Sequence, residues 1–441
     1  MTVAELTARR LEVLLARDQV AGRLPSVVGG VVRDGELVWQ SSYGAATGPD
    51  VQYRIGSITK TLLAVVVLQL RDEGRLDLND RLDRHLPNVG YGDRTIRSLL
   101  SHSSGMHSEP AGEWWERTPG GSFADLAGRL GDVDPAFPSG TTFHYTNVAF
   151  GLLGEVVSRL TGMPWFDAVK ARLLDPLGMV RTTYLPEPPA AQGYSVHHFA
   201  NTLDEEPAHD AGAMAPAGQV WSTVEDLARY AAFLAGGSTQ ILADRTLDEM
   251  ATPQSGSLAG GLAGGYGLGF RLVAGGSGVL LGHTGSMPGF LAGLLVDRRR
   301  RTGAVVLANG THGMRCEGLP MDLLAALEEL EPTLPPAWQP VRDVPAAVAD
   351  VIGVWHWGNT AYAFTWTGSE VVATLMSSGA ESQRFELRDG RLVGSSGYHH
   401  GETLRVARAD DGSVSHLVCA TFVYTRAPYD PAAPIPGGTP G

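Results

Sequence analysis

Lysine is almost missing from this chain. Of its 34 basic residues only two, Lys60 and Lys170, are lysines. Arginine serves wherever a fixed positive charge is wanted, but it stays protonated, whereas a buried lysine can give up its proton and act as a base. Cysteine is nearly as scarce. Cys316 and Cys419 lie far apart in sequence, which excludes a disulfide scaffold and points to a reducing compartment. Cys316 has no positioned base beside it to make it a nucleophile. A basic surface is also lacking: the formal charge of −13 argues against nucleic acid as a partner, and the arginine run at 298–301 reads as a solvated turn between strands. The longest largely apolar run, 62–70, is far too short to span a membrane. Residues 2–17 place Leu6, Leu11, Leu14 and Leu15 among charges, with Thr2 and Glu5 as a capping box. That pattern predicts an amphipathic helix of the mature fold and not an export signal. A cytoplasmic protein with no membrane partner is expected. The histidine pairs His197-His198 and His399-His400 lack a carboxylate or cysteine partner at ligand spacing, so neither a metal nor another cofactor is expected.

What is present suggests two units. Strand-like runs at 27–32 and 37–42 flank Arg33-Asp34-Gly35, a hairpin signal. A helix apolar nearly all the way round is predicted from Ser57 to about Glu73, ending at Gly74, and should be buried. Helical patterns follow near 149–160, 166–173 and 224–234. Strand character returns at 278–281, 289–296 and 303–307, before a helix at about 319–330. Strands at both ends with helices between them predict one antiparallel sheet with a helical insertion, an α/β (α+β) domain over residues 1–331. A proline-rich linker at 332–345 leads to an all-strand region, 346–428, with strands at 353–357, 361–365, 370–375, 383–387, 391–395, 403–406 and 417–424. Short strands at this spacing predict a small barrel. The last residues, 429–441, with Pro431, Pro434, Pro436, Gly437, Gly438 and Pro440, read as a frayed tail.

Chemistry gathers around the buried lysine. Ser57 stands three residues before Lys60 at the start of the predicted helix, so both side chains share one face. The helix N-terminus adds free N–H groups and partial positive charge beside a nucleophile that needs a base. A plain helix cap at Ser57 with a paired lysine fits these residues equally well. Two further clusters favour the catalytic reading. In His144-Tyr145-Thr146-Asn147 the tyrosine can share proton transfer with Lys60, and the Asn147 amide can donate to a substrate carbonyl and accept from Lys60. In Gly282-His283-Thr284-Gly285-Ser286 small residues let the backbone approach a substrate, and the Ser286 N–H can join that of Ser57 as an oxyanion hole. Lys170 reads as a surface residue. Trp114, Trp115 and Trp221 either line an acyl pocket or pack in the core.

These motifs resemble those of the serine β-lactamase and penicillin-binding-protein superfamily, most closely its class C, esterase and D-peptidase branch. The resemblance runs over roughly residues 20–330 and rests on Tyr53-Arg54-Ile55-Gly56-Ser57-Ile58-Thr59-Lys60, Leu99-Leu100-Ser101-His102-Ser103-Ser104-Gly105 and Tyr145-Thr146-Asn147. Pro176-Leu177-Gly178-Met179, Ala217-Gly218-Gln219-Val220-Trp221-Ser222-Thr223 and His283-Thr284-Gly285 complete it. It implies that Ser57 is acylated, that Lys60 and Tyr145 share the acid and base roles, and that Asn147, His283, Thr284, Gly285 and Ser286 bind the substrate and its oxyanion. Lactamases and D-Ala-D-Ala carboxypeptidases of the group usually carry lysine where His283 stands. A mostly neutral histidine argues against a β-lactam or a free carboxylate as substrate.

The appended domain, expected to be a lipocalin-like barrel, is also the layout of penicillin-binding-protein-type thioesterases. On that resemblance the expected function is a standalone peptide cyclase releasing a nonribosomal peptidyl thioester by macrocyclisation at a D-residue. A carrier-protein domain of a peptide synthetase is then a candidate partner. The alternative is a D-stereospecific peptidase, amidase or carboxylesterase acting on a small D-amino-acid-containing substrate. β-Lactamase, DD-carboxypeptidase and covalent sensor rank behind both. Arg426 in the barrel is a candidate to approach the substrate.

Overall fold

A computed structural model describes residues 2–430 apart from 46–47, 132–133, 237–239, 257–263, 277 and 336; of the tail expected at 429–441, residues 431–441 lie outside them, while the Tyr429 N–H donates to the Gly358 carbonyl. The chain forms two compact units, Met1–Thr333 and Leu334–Gly441.

The first unit is built on a seven-stranded antiparallel sheet in the order Glu36–Gly44, Ser26–Arg33, Thr302–Ala308, Phe290–Asp297, Gly278–Met287, Arg271–Gly275, Gly264–Tyr266. Strands from the two ends of the unit pair with each other as the sheet's second and third strands, with Val27 opposite Ala308 and Arg33 opposite Thr302. The Asp34-Gly35 turn has positive φ at both residues, 50° and 86°, as a two-residue hairpin of right-handed strands requires. Successive side chains point to opposite faces. Val27, Val31, Ala304 and Val306 therefore pack against the helices Glu5–Gly22 and Gly318–Leu330, while Val28, Val32, Val305 and Leu307 belong to the larger core on the other side. That second face carries the Val224–Gly236 helix and the buried Ile58–Asp72 helix, in which every residue from Ile58 to Leu70 is buried.

The first helix corrects one expectation. It begins at Glu5, with Ala4 at the cap and no side-chain cap bond, so the Thr2–Glu5 box is not made. The Ala4 N–H donates instead to Glu331 Oε1 at 2.7 Å, and Glu331 also receives Arg33. A carboxylate 327 residues away does the capping. The arginines at 298–301 form a turn between strands and reach Asp248, Glu328 and Asp34. Lys170 is on the surface, paired with Asp175.

The second unit is an eight-stranded closed barrel in which each strand pairs with the next in sequence, and the first, Gly353–Trp357, closes onto the last, Phe422–Thr425. Trp355, Phe364, Phe385, Leu417 and Tyr424 fill it. The single strand expected at 417–424 is two, Val414–Cys419 and Phe422–Thr425, because the chain reverses at Ala420 with φ 52°. A non-glycine rarely takes that conformation, so the turn carries no glycine signal. Arg426 is occupied within its own unit: its guanidinium lies 3.7 Å over the Trp355 ring and donates to the Val354 carbonyl. Among the described residues no helix is long and apolar enough to cross a membrane.

Candidate active site

Ser57 holds the N-cap position of the Ile58–Asp72 helix, yet its side chain makes no cap bond. Its Oγ is instead hydrogen-bonded to Lys60 Nζ at 2.9 Å, and Nζ also donates to the Ala217 carbonyl at 2.6 Å. The one-turn spacing and the burial of the helix bring this about together. Lys60 is fully buried, with Nζ 5.1 Å from the centroid of the Tyr145 ring and 5.6 Å from that of Phe150. Burial pulls its pKa down to about 7, against the opposing pull of Glu109 and Glu116. A lysine with that pKa is substantially neutral at physiological pH and can take the Ser57 proton.

Tyr145 directs its buried Oη toward Ser57. Burial raises its pKa and the neighbouring Ser57 hydroxyl lowers it, but no well-formed hydrogen bond joins them. The phenol is therefore a proton donor in waiting more than a resting base. His102 positions it, a residue that sequence reasoning included in a motif without giving it a role. Its ring packs 4.1 Å from that of Tyr145, its Nδ1 accepts from the Thr146 N–H at 3.1 Å, and its carbonyl accepts from the His144 N–H. Burial holds His102 well below the usual histidine pKa, so it stays a neutral support.

Asn147 departs from expectation. Its Nδ2 donates to Glu109 Oε1 at 2.6 Å, and the partners of Lys60 Nζ are Ser57 and Ala217. Glu109 also accepts from Trp115 Nε1 at 2.7 Å, and Glu116 accepts from Trp114 Nε1 at 3.0 Å. Neither carboxylate was anticipated, since they lie on a loop without periodicity. Of the tryptophans, Trp221 is core, packed on Phe290. Trp115 is buried, and Trp114 is 59% exposed.

The Gly278–Met287 strand brings the remaining residues. Its pairing with Arg271–Gly275 stops at Gly282, so among the described residues no strand pairs with 283–287 on that side. A Cβ on Gly285 would lie 2.0 Å from the Ile55 carbonyl, and one on Gly56 2.4 Å from the Ser286 nitrogen. Only glycines allow this approach, and it sets the Ser286 amide beside Ser57 as an oxyanion donor requires. Thr284 is partly exposed and the Ser286 side chain exposed. His283 does not reach for substrate. It is 2% exposed, its Nδ1 lies 2.5 Å from the Thr284 carbonyl, and Nε2 lies 2.9 Å from Tyr266 Oη. Burial lowers its pKa to about 3. Nδ1 must then carry the proton and Nε2 accept from Tyr266. The position held by a fixed cation in carboxylate-binding relatives is here neutral and occupied.

A pH dependence follows. Only the neutral amine of Lys60 can act as base, so kcat/KM on a non-titrating ester is expected to rise with pH through about 7 and level off above it, falling about tenfold per pH unit on the acid side. Because Glu116 raises the Lys60 pKa, Glu116→Gln should move this limb to lower pH. A limb that stays put in that variant, or lies near pH 10, would contradict the assignment of the base.

Comparison with known proteins identifies the family of the first unit. Residues 8–327 match the β-lactamase family, and residues 344–426 match a domain of unknown function (DUF7586). Penicillin-binding protein 4 of Amycolatopsis lactamdurans is 30% identical over 314 residues, 66% of this chain and 79% of that protein. Among solved structures, a D-stereospecific amidohydrolase from a Streptomyces species is 29% identical with a TM-score of 0.61, over 74% of this chain and 98% of that one. SurE is 25% identical, also with a TM-score of 0.61, and covers 96% of this chain and 99% of its own. Ser57, Lys60 and Tyr145 thus lie in the unit that matches this family, and the chain belongs to the β-lactamase and penicillin-binding-protein family of serine hydrolases.

Proposed function

We propose that this enzyme is a D-stereospecific amidohydrolase or transacylase whose acyl substrate carries a free amine. The observation that carries this reading is the charge around the nucleophile. Glu109 and Glu116 both bear electrostatically on Lys60, Glu109 holds the Asn147 amide, and His283 offers no balancing cation. Arg54 offsets part of the Glu116 charge, and Glu109 together with the remainder is left to favour an ammonium group over a carboxylate in the site. D-stereospecificity is supported by the likeness to the Streptomyces amidohydrolase. Ser57 attacks the amide or ester carbonyl as its proton passes to Lys60, and the amides of Ser57 and Ser286 hold the oxyanion. Tyr145, with its high pKa, relays the proton to the leaving group, and water or an amine then releases the acyl group.

The test compares D-amino-acid amides and p-nitroanilides with their L-enantiomers and with N-acetylated forms. Free-amine D-substrates are expected to lead. Measured on the plateau above the Lys60 limb, Glu116→Gln should cost them about 10–100-fold in kcat/KM, the scale of a charged hydrogen bond, and leave N-acetylated substrates nearly unchanged at that pH. N-acetylated or L-substrates turning over equally well would overturn the reading.

A second reading is macrocyclisation of a peptidyl thioester with a D-residue at its C-terminus, supported by the barrel that follows the β-lactamase-like unit, the layout of penicillin-binding-protein-type thioesterases, and by a likeness over both units to SurE, solved with D-Leu. There the same carboxylates would hold the N-terminal amine that attacks the acyl-enzyme, and tethering would give that amine a high effective concentration. A linear peptidyl thioester giving cyclic product in excess of acid would decide for it.

A further inference from the structure

We propose that the barrel contains a binding site for a zinc-class divalent cation, formed by His399, Glu402 and Cys419. The expectation that His399 lacks a carboxylate or cysteine partner does not hold. A ring nitrogen of His399, a carboxylate oxygen of Glu402 and Cys419 Sγ all lie within 4.8 Å of one another. His399 and Glu402 belong to the turn that joins strands Arg391–Ser396 and Thr403–Arg408, and Cys419 ends the strand Val414–Cys419. The barrel register brings them together: Leu404 pairs with Cys419, so the residues just before Leu404 stand beside the thiol.

The turn is firmly held. Gly394 N–H donates to the Glu402 carbonyl, Gly401 N–H to the Gly394 carbonyl and Glu402 N–H to the His399 carbonyl. A Cβ on Gly394 would lie 1.9 Å from the His399 carbonyl, so the loop folds back tightly onto its own strand.

His399 is fully buried, and its Nδ1 lies 2.5 Å from Glu402 Oε2, so Nδ1 is the nitrogen that faces the cluster and would take the ion. Rings surround the imidazole on the other sides, Phe422 at 4.8 Å, Tyr398 at 5.2 Å and Tyr424 at 6.5 Å. The Glu402 side chain is 44% exposed and gives a path from solvent. Imidazole, carboxylate and thiolate are the donor set that zinc accepts. Bonds of about 2.0–2.3 Å would put tetrahedral ligands about 3.3–3.8 Å apart, so a modest contraction and a small opening of the His399–Glu402 contact complete three ligands, with the fourth position open to water. Cys419 is a free thiol, buried within the barrel. Coordination would release the thiol proton to solvent. The ion would then tie the turn to the neighbouring strand.

The experiment uses the full chain, freed of metal by a chelator and titrated anaerobically with Co²⁺. One equivalent is expected to bind with a thiolate-to-cobalt charge-transfer band, to be displaced by Zn²⁺, and to raise the melting temperature. Cys419→Ser should abolish the band while Cys316→Ser, the other cysteine, retains it. His399→Gln should weaken affinity by more than about 100-fold, since changes one shell further out already cost 10–100-fold. Glu402→Gln, at the solvent edge, supplies a variant whose fold does not depend on buried polarity, and weaker Co²⁺ binding is expected of it too. Circular dichroism confirms that each variant is folded. No band in the wild type, a band that survives Cys419→Ser, or affinity unchanged in both His399→Gln and Glu402→Gln would overturn the site and leave only a His–Glu hydrogen bond.

Discussion

Replacing Lys60 with arginine is expected to lower kcat/KM by about 10²–10⁴-fold, the usual loss when a general base is removed. Charge is retained in that variant and size nearly so. What is lost is the proton equilibrium. Lys60 titrates at about 7 because it is buried, whereas a guanidinium stays protonated at any working pH. Ser57 would keep a hydrogen-bond donor and lose its acceptor. The pH profile separates base loss from misplacement, since the arginine variant should show no acid limb near 7. Retention of more than about a tenth of the activity would mean that Lys60 acts only by its charge.

The sequence made this pair legible because its signal is local. Three residues on a helix define one face, and the scarcity of lysine singled Lys60 out. Strands were legible for the same reason: period-two runs bounded by turn residues placed 353–357 and 370–375 at their observed ends. What stayed hidden depended on distance or on unusual backbone. The carboxylate that holds Asn147 lies 38 residues upstream on an irregular loop. Glu331 caps a helix at the opposite end of its unit. The turn at Ala420 lacks a glycine, so two strands read as one. His283 looked available for substrate, and only the packing shows Tyr266 occupying it. Its neutrality, by contrast, followed from residue type alone.

Ser57→Ala should remove more than about 10⁴-fold of the activity, as loss of a serine nucleophile does elsewhere, and all labelling by a serine-directed phosphonate. The fold is expected to survive almost unchanged. A capping serine replaced by alanine costs about 0.5–2 kcal/mol, but Ser57 makes no cap bond, so the melting temperature should barely move. The two readouts together separate a nucleophile from a cap. Phosphonate mapped by mass spectrometry to a residue other than Ser57, or labelling intact in the variant, would sink the assignment. A clear fall in melting temperature without loss of labelling would restore the capping role.

The burial of Lys60 also has a thermodynamic side. Unfolded, its amine titrates near the ordinary 10.5; folded, near 7. Between those values the unfolded chain holds the proton that the folded chain has released, so this residue makes stability rise with pH across that window and adds no slope below it. At neutral pH the deficit is on the order of a few kcal/mol, a sizeable share of a domain's net stability. Catalytic readiness is thus stored as weakened folding. An apolar side chain of similar length at position 60, methionine for instance, would inactivate the enzyme and leave a firmer protein, the trade between activity and stability seen at strained functional sites.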